Sequence, residues 1–496
     1  MTPLQTAAAL YADRQYADAW ALAAAEAPLL LNVAGTAAYA LGRVDDAERC
    51  WEIAVRICPD LADAHANLGM LLTDGGRLDQ AEAAYRRALA IQPAHAVALN
   101  NLGVLLGRLE RAAEAEAVYR RALAARPDYT DAFTNLGVLL ATAERLGEAE
   151  DCFRQALALR PGDADAHYNL SILLLSLGRF REAWPHYEAR YHPEKTKRTA
   201  LPPVLPLPQW RGEALAGKSL LVWHEQGFGD EIQFCRFLPL LKKRGLARVG
   251  VVCKAALAPL LQTLDGIDAV YADASGPSFA AYDYWTLPMS IPLHLGVEAQ
   301  AIPADIPYLR PLPERLAQWR VRLPEAGLRV GLVWKGFAGH ANDGRRSLPG
   351  PATLAPLWDV PGVAFVSLQK WAGEEEARQP PPGQPLTHLG SDIIDFADTA
   401  AIVAQLDLLI CVDTAVAHLA GALGKPCWVL LPAIRADWRW LRGRCGSPWY
   451  PHIMRLFRQE KSEPWAVVAG RVAEALAAFA QASAGEIAEK PRGAGL

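Results

Sequence analysis

Asn67-Leu68-Gly69 returns as Asn101-Leu102-Gly103, as Asn135-Leu136-Gly137 and, with one change, as Asn169-Leu170-Ser171, a step of 34 residues each time. Pro59, Pro93, Pro127 and Pro161 keep that step, and so do Ala47, Ala81, Ala115, Ala149 and Ala183. An aromatic residue stands four places after each alanine: Trp51, Tyr85, Tyr119, Phe153 and Tyr187. Independent markers on one period define an array of helix pairs. Each unit reads as a helix carrying Asn-Leu-Gly, a turn, and a helix carrying the alanine and the aromatic. The proline falls between units, where it interrupts no helix. Four full units are expected at 28–61, 62–95, 96–129 and 130–163, with a fifth starting at Ala164 and an irregular partial unit before residue 28. The array is thus assigned 1–195, and such arrays present a long concave surface to a partner.

The chain has 496 residues, 52% hydrophobic and 21% charged, which fits a packed globular protein of two or three domains. A net charge of −4 offers no global argument for nucleic acid or an anionic membrane. The eight cysteines are scattered without C-x-x-C spacing, so reduced buried thiols are expected and a metal site is not. The N-terminus lacks a basic segment followed by an apolar one, and no apolar run is long enough to span a bilayer. A cytoplasmic location with no integral membrane segment is expected.

The period breaks at 196–217, where Leu201-Pro-Pro-Val-Leu-Pro-Leu-Pro208 excludes helix; this is read as an ordered linker that buries Trp210 and the leucines. Short apolar runs then alternate with helical stretches: Ser219–Trp223, Val249–Cys253, Leu328–Trp334, Val363–Leu368, Leu406–Val412 and Pro426–Leu431. Continuous apolar strands of this kind belong to parallel sheets covered on both faces. Two Rossmann-like halves are expected, at 218–315 and 325–480, joined by the proline-rich Ile302–Pro313 and followed by a tail, 481–496.

Four stretches carry possible chemistry. In Trp223-His-Glu-Gln-Gly-Phe-Gly-Asp-Glu-Ile-Gln-Phe234 a strand ends, Gly227 and Gly229 make a tight loop, and a helix starts near Asp230. His224, Glu225, Asp230 and Glu231 crowd a strand's carboxyl end, where open α/β sheets bind ligands, and any one could be a general base. An ordinary strand-to-helix turn with Asp230 as its cap explains the stretch equally well. In Val412-Asp-Thr-Ala-Val-Ala-His418, Thr414 opens a helix whose free amides, including that of Ala415, could hold a phosphate, and Asp413 precedes it. His418 by itself reads more simply as a core histidine. Lys335 leaves a buried strand, and Arg345 and Arg346 follow on a polar loop, cations that suit a diphosphate or a solvated loop. Gln369 ends another strand with an amide that could read a base or ribose.

From Gly217 to about Arg471 these pieces, with Asp395-Phe-Ala-Asp-Thr-Ala-Ala401, Asp437-Trp-Arg-Trp440, Ser447-Pro-Trp-Tyr-Pro451 and Arg455-Leu-Phe-Arg458, resemble the catalytic half of bacterial tetratricopeptide-repeat glycosyltransferases. More distantly the segment is similar to glycosyltransferase family 9, the heptosyltransferases. The resemblance implies a GT-B fold and inverting, metal-independent transfer from a nucleotide-sugar, with no further cofactor. It implies Asp230 as catalytic base, with Gly227, Gly229 and Glu225 supporting its loop. It implies that Thr414 and the helix it opens, with Ala415 and the matching His418, hold the donor diphosphate and that Asp413 holds the sugar or ribose hydroxyls; Lys335, Arg345, Arg346 and Gln369 join this expected donor site by their placement. The repeats resemble those of O-GlcNAc transferase, whose asparagines bond to the acceptor's backbone; Asn67, Asn101, Asn135 and Asn169 match, while Val33 departs from the pattern. A protein acceptor, such as flagellin or another surface protein, is the expected partner. Transfer to a lipid or polysaccharide, and a scaffold with a degenerate α/β part, are the alternatives.

Overall fold

In the computed structural model, residues 16–195, 200–273, 276–303, 305–325, 327–340 and 342–489 are described. The chain divides into two compact units, Met1–Leu170 and Ser171–Leu496.

The first unit is a run of antiparallel helices: α1 (Tyr16–Ala40), α2 (Val44–Ile57), α3 (Ala62–Asp74), α4 (Leu78–Ile91), α5 (Ala96–Arg108), α6 (Ala112–Ala125), α7 (Thr130–Thr142) and α8 (Leu146–Leu159). Instead of an irregular partial unit before residue 28, α1 runs through Pro28 as one helix. The repeating glycine and aromatic are one packing device. A Cβ on Gly69, Gly103 or Gly137 would lie 2.7, 2.5 or 2.6 Å from the ring of Tyr85, Tyr119 or Phe153. The rings are at most 4% exposed and lie directly on the backbone of the preceding helix. Gly103→Ala should therefore lower the array's melting temperature. The overpacking costs about 1–3 kcal/mol, more than the roughly 1 kcal/mol gained in helix propensity. Thermal unfolding followed by circular dichroism checks this, and an unchanged or higher midpoint would refute the packing argument.

The division falls inside α9 (Ala164–Ser176), not at residue 195. The next helix, α10 (Phe180–Tyr187), belongs to the second unit because its aromatics are sunk there. Trp184 Nε1 donates to Val297 O (2.9 Å), Phe180 lies 5.7 Å from Trp449, and Trp184 lies 5.9 Å from Trp438. In the linker, Trp210 is buried as expected, and its backbone N–H donates to Trp285 O (2.8 Å), but Leu201 and Val204 are exposed.

The second unit holds two parallel sheets. The first has β1 (Ser219–Trp223), β2 (Arg248–Val252), β3 (Ala269–Tyr271) and β4 (Tyr284–Thr286) in the order β3-β2-β1-β4. The second has β5 (Leu328–Val333), β6 (Val363–Ser367), β7 (Thr387–His388), β8 (Leu408–Val412), β9 (Cys427–Leu431) and β10 (Met454–Arg458), in the order β10-β9-β8-β5-β6-β7. Counted from its own first strand, this is the doubly wound 3-2-1-4-5-6 order, with its switch point between β5 and β8. β8 and β9 are buried along their whole length, as strands covered on both faces must be. The site is framed by α11 (Phe228–Phe234) after β1, α12 (Pro313–Arg320) in the crossing segment, α13 (Phe396–Val403) and α14 (Ala415–Ala422). The last helix, α15 (Trp465–Glu489), runs through the boundary expected at 480; the rest of the expected tail lies outside the described residues.

Candidate functional site

β8 ends at Val412, and Asp413 and Thr414 carry the chain into α14. Thr414 is the N-cap by backbone conformation (φ −143°, ψ 167°), but its hydroxyl makes no capping bond. The helix closes as expected: Gly424 adopts φ +72° and Lys425 N donates to Ala420 O (2.9 Å). Opposite it, α11 starts at Phe228, two residues earlier than expected. Gly227 is its N-cap, and Asp230, at the third position, accepts from Gly227 N through Oδ2 (2.7 Å). Gly229 lets the two helices meet, because a Cβ there would lie 3.0 Å from His418 Cδ2 and 3.4 Å from Ala415 Cα.

The other oxygen of Asp230 pairs with Arg439, a residue the sequence reading did not place in the site. Arg439 is 6% exposed, its Nη1 bonds Asp437 Oδ1 and Oδ2 (2.8 and 3.0 Å), and its guanidinium lies over Trp438 (4.5 Å). The pair joins the two α/β halves across 209 residues of sequence, so no local pattern could disclose it. The one signal was the Asp437-Trp-Arg-Trp440 motif. Around the start of α14, the Thr414 hydroxyl, the Arg439 Nε and the Trp440 indole N–H are buried without a hydrogen bond of ordinary geometry among the described residues, although the Trp440 N–H faces the Asp413 carboxyl and the Thr414 hydroxyl faces the Cys411 thiol. Buried polar atoms are nearly always paired, so these three groups keep hydrogen-bonding capacity that the described residues do not fully use. Burial, reinforced by the charge of Asp437, pushes the Asp413 carboxyl up to about 6.

Two expected donor contacts are corrected. His418 is a core residue: it is 5% exposed, stacks on Trp440 at 5.2 Å and meets the Tyr450 hydroxyl through Nδ1 (3.1 Å). Burial, with Arg439 nearby, pulls it down to about 3, so it stays neutral. Gln369 is 1% exposed and acts as a backbone staple. Its Oε1 accepts from Trp334 N and Lys335 N (2.9 and 3.0 Å), and its Nε2 donates to Lys335 O and Ala372 O (3.1 and 2.6 Å). No part of its amide is left to read a base.

Lys335 does leave β5 beside Asp413, since Val333 pairs with Cys411, but its ammonium bonds Glu376 Oε1 (2.7 Å). Arg346 lies 3.4 Å from Asp343, close enough to Asp413 to favour its charged form, while Arg345 is exposed. Glu225 supports its loop from within the core: both oxygens bind Arg190 (2.5 and 3.2 Å), which follows α10. Glu231 points away from Arg439 toward Lys254, and burial pushes its carboxyl up to about 7.

In the first unit the asparagines are half-buried and partly turned to one another. Asn67 Nδ2 donates to Asn32 Oδ1 (2.9 Å), Asn135 Nδ2 to Asn100 Oδ1 (3.0 Å), and Asn100 Nδ2 to Asn101 Oδ1 (3.2 Å). Asn32 and Asn100 were missed because each stands one place before the repeating position. Each amide retains hydrogen-bonding capacity beyond these bonds.

Tetratricopeptide repeat family models match residues 26–94, 60–128, 94–162 and 134–193. The chain is similar to Protein FlbA of Caulobacter vibrioides, 34% identical over 324 residues, covering 60% of this chain and 52% of that one. It thus spans about half the length of this curated relative. A contiguous match of that share is longer than the repeats and necessarily crosses the middle of the chain, where the His224–Asp230 loop lies. Among solved structures, Pseudomonas aeruginosa PilF is 25% identical over 33% of this chain and 77% of its own, with a TM-score of 0.32. A tetratricopeptide protein of Thermus thermophilus is 27% identical over 34% of this chain and 93% of its own, with a TM-score of 0.31. Among the described residues no helix is long and apolar enough to cross a membrane. The N-terminal region is therefore a tetratricopeptide-repeat solenoid, a protein-interaction scaffold, followed by an α/β unit with two parallel sheets.

Proposed function

We propose that this protein is an inverting, nucleotide-sugar-dependent glycosyltransferase of GT-B type whose acceptor is a protein bound by the repeats. The observation that carries the reading is the set of buried polar groups with spare hydrogen-bonding capacity at the start of α14, at the switch point of a doubly wound sheet, one of which, Arg439, pairs with Asp230. Free amides at a helix N-terminus and a fixed guanidinium suit a diphosphate. In the reaction the acceptor oxygen attacks C1 of the sugar while the bond from C1 to the diphosphate oxygen breaks with its electron pair. The acceptor's proton passes to Asp230, and the charge developing on the diphosphate is met by the α14 amides and Arg439. Asp230 already accepts two hydrogen bonds, but a carboxylate has about four acceptor positions, so it can also take a hydroxyl. The chemistry needs no metal by resemblance to family 9. The repeat asparagines recognise an extended acceptor, because a side-chain amide pairs with peptide backbone whatever its sequence. A flagellar or other surface protein is the acceptor class the resemblance favours.

A thermal-shift screen with UDP, GDP, ADP and CMP tests this directly. At a hundred times its dissociation constant a nucleotide that binds only the folded state adds about 2.7 kcal/mol, a clear rise in melting temperature. One nucleotide should produce it; silence from all four would leave the repeats as a scaffold beside an inactive α/β unit.

A further inference from the structure

The loop that delivers Asp230 is held in an unfavourable backbone conformation. Gln226 has φ +57°, the left-handed region that a residue with a Cβ seldom adopts. Such outliers persist only when their surroundings hold them. Three contacts do so: Gln226 Nε2 donates to the Tyr187 hydroxyl (3.4 Å), neighbouring Glu225 is fixed by Arg190, and the Gln226 carbonyl accepts from Lys254 Nζ. Lys254 stands just past the end of β2 and is itself aimed from beneath. Its ammonium lies 3.5 Å from Glu231 Oε1 and 5.0 Å from the Phe228 ring centre, and its backbone N–H donates to Glu231 Oε2 (3.4 Å). Glu231 is 5% exposed, its Oε1 has no hydrogen-bond partner among the described residues, and it borders a cavity of about 20 Å³ shared with His224 and Cys235. Lys254 is the cation that faces this buried carboxyl.

We infer that Lys254 is a positioning residue: by clamping the Gln226 carbonyl it keeps the loop in its left-handed turn and aims Asp230 at the reacting hydroxyl. This rests on the function proposed above. The contacts of Lys254 among the described residues are with Gln226, Glu231 and Phe228 and include neither Arg439 nor α14.

The test uses the full chain with Lys254→Met, Gln226→Gly and both together. Lys254→Met should lower kcat on the order of tenfold to a hundredfold, the scale of a misplaced catalytic group. The nucleotide-induced thermal shift should stay unchanged, and amides 225–230 should exchange faster. Gln226→Gly in the same chain should restore most of the lost kcat and slow exchange again, since glycine adopts this φ without a Cβ penalty. Glu231→Gln in the Lys254→Met background replaces the buried carboxyl left without its cation and keeps the comparison available if the single variant folds poorly. Wild-type kcat and exchange in Lys254→Met, or no recovery with Gln226→Gly, would overturn the assignment. If the natural chain transfers no sugar, the function fails, and the exchange measurements still decide whether Lys254 holds the loop.

Discussion

Asp230→Ala should reduce sugar transfer at least about a hundredfold, the usual contribution of a general base, while the nucleotide-induced rise in melting temperature persists. The two readouts separate because the groups involved separate. Asp230 sits on α11, and the donor is assigned to α14 and Arg439. Removing Asp230 frees one bond of Arg439 but leaves Asp437 holding the guanidinium at 2.8 and 3.0 Å. The diphosphate contact therefore keeps its orientation. Losing the bond from Gly227 N weakens the start of α11 by about 1 kcal/mol, which leaves the unit folded. Turnover equal to the natural enzyme would eliminate Asp230 as the base. Loss of both turnover and nucleotide response would show that the Asp230–Arg439 pair builds the donor site and does no proton transfer.

Arg190→Met should cost about 3–5 kcal/mol, because removing one partner of a buried ion pair strands the other. In a unit of this size that is a fall on the order of 10 °C in melting temperature. Arg190 is fully buried. It bonds Glu225 twice, Glu188 (2.6 Å) and Ser290 Oγ (2.7 Å), so three segments lose their common partner. Adding Glu225→Gln should recover part of the loss, since one stranded carboxylate becomes neutral. Calorimetry on the single and double variants measures this. A single variant as stable as the natural protein would mean that α10 and the turn after it are not an integral part of the α/β unit. The same network decides how the repeats can be removed. A truncation at residue 195 also deletes Arg190 and Tyr187, so it would test folding rather than acceptor binding; the cut must leave residues from Ser171 onward.

Short-range physics was legible in the sequence. The 34-residue period, the glycine facing an aromatic and the buried strands β1, β2, β5, β6, β8 and β9 each follow from spacing within one element or between neighbours. Four strands were not. Thr387-His388 is two residues long, β3 and β4 have three each, and β10 carries Arg455 and Arg458. Such strands exist because a neighbouring edge accepts their backbone, and their own composition does not announce them. The start of α1 was hidden by Pro28, which ordinarily argues for an end rather than an interior.

The role of a polar residue was the least legible feature, because it depends on what stands opposite. His418 and Gln369 have the chemistry of ligand contacts, yet one packs in the core and the other staples two strand ends. Arg439 looked like part of an aromatic motif and proves to bridge the halves. Lys254, just past the end of β2, bonds the Gln226 carbonyl, a contact that no local spacing announces. Residue order alone established a repeat solenoid followed by alternating strands and helices, since periodicity and apolar burial act over a few residues. Only the folded chain decided that the array's last helix belongs to the α/β unit and that Asp230 meets Arg439. Ion pairs and aromatic contacts across hundreds of residues leave no trace in local spacing.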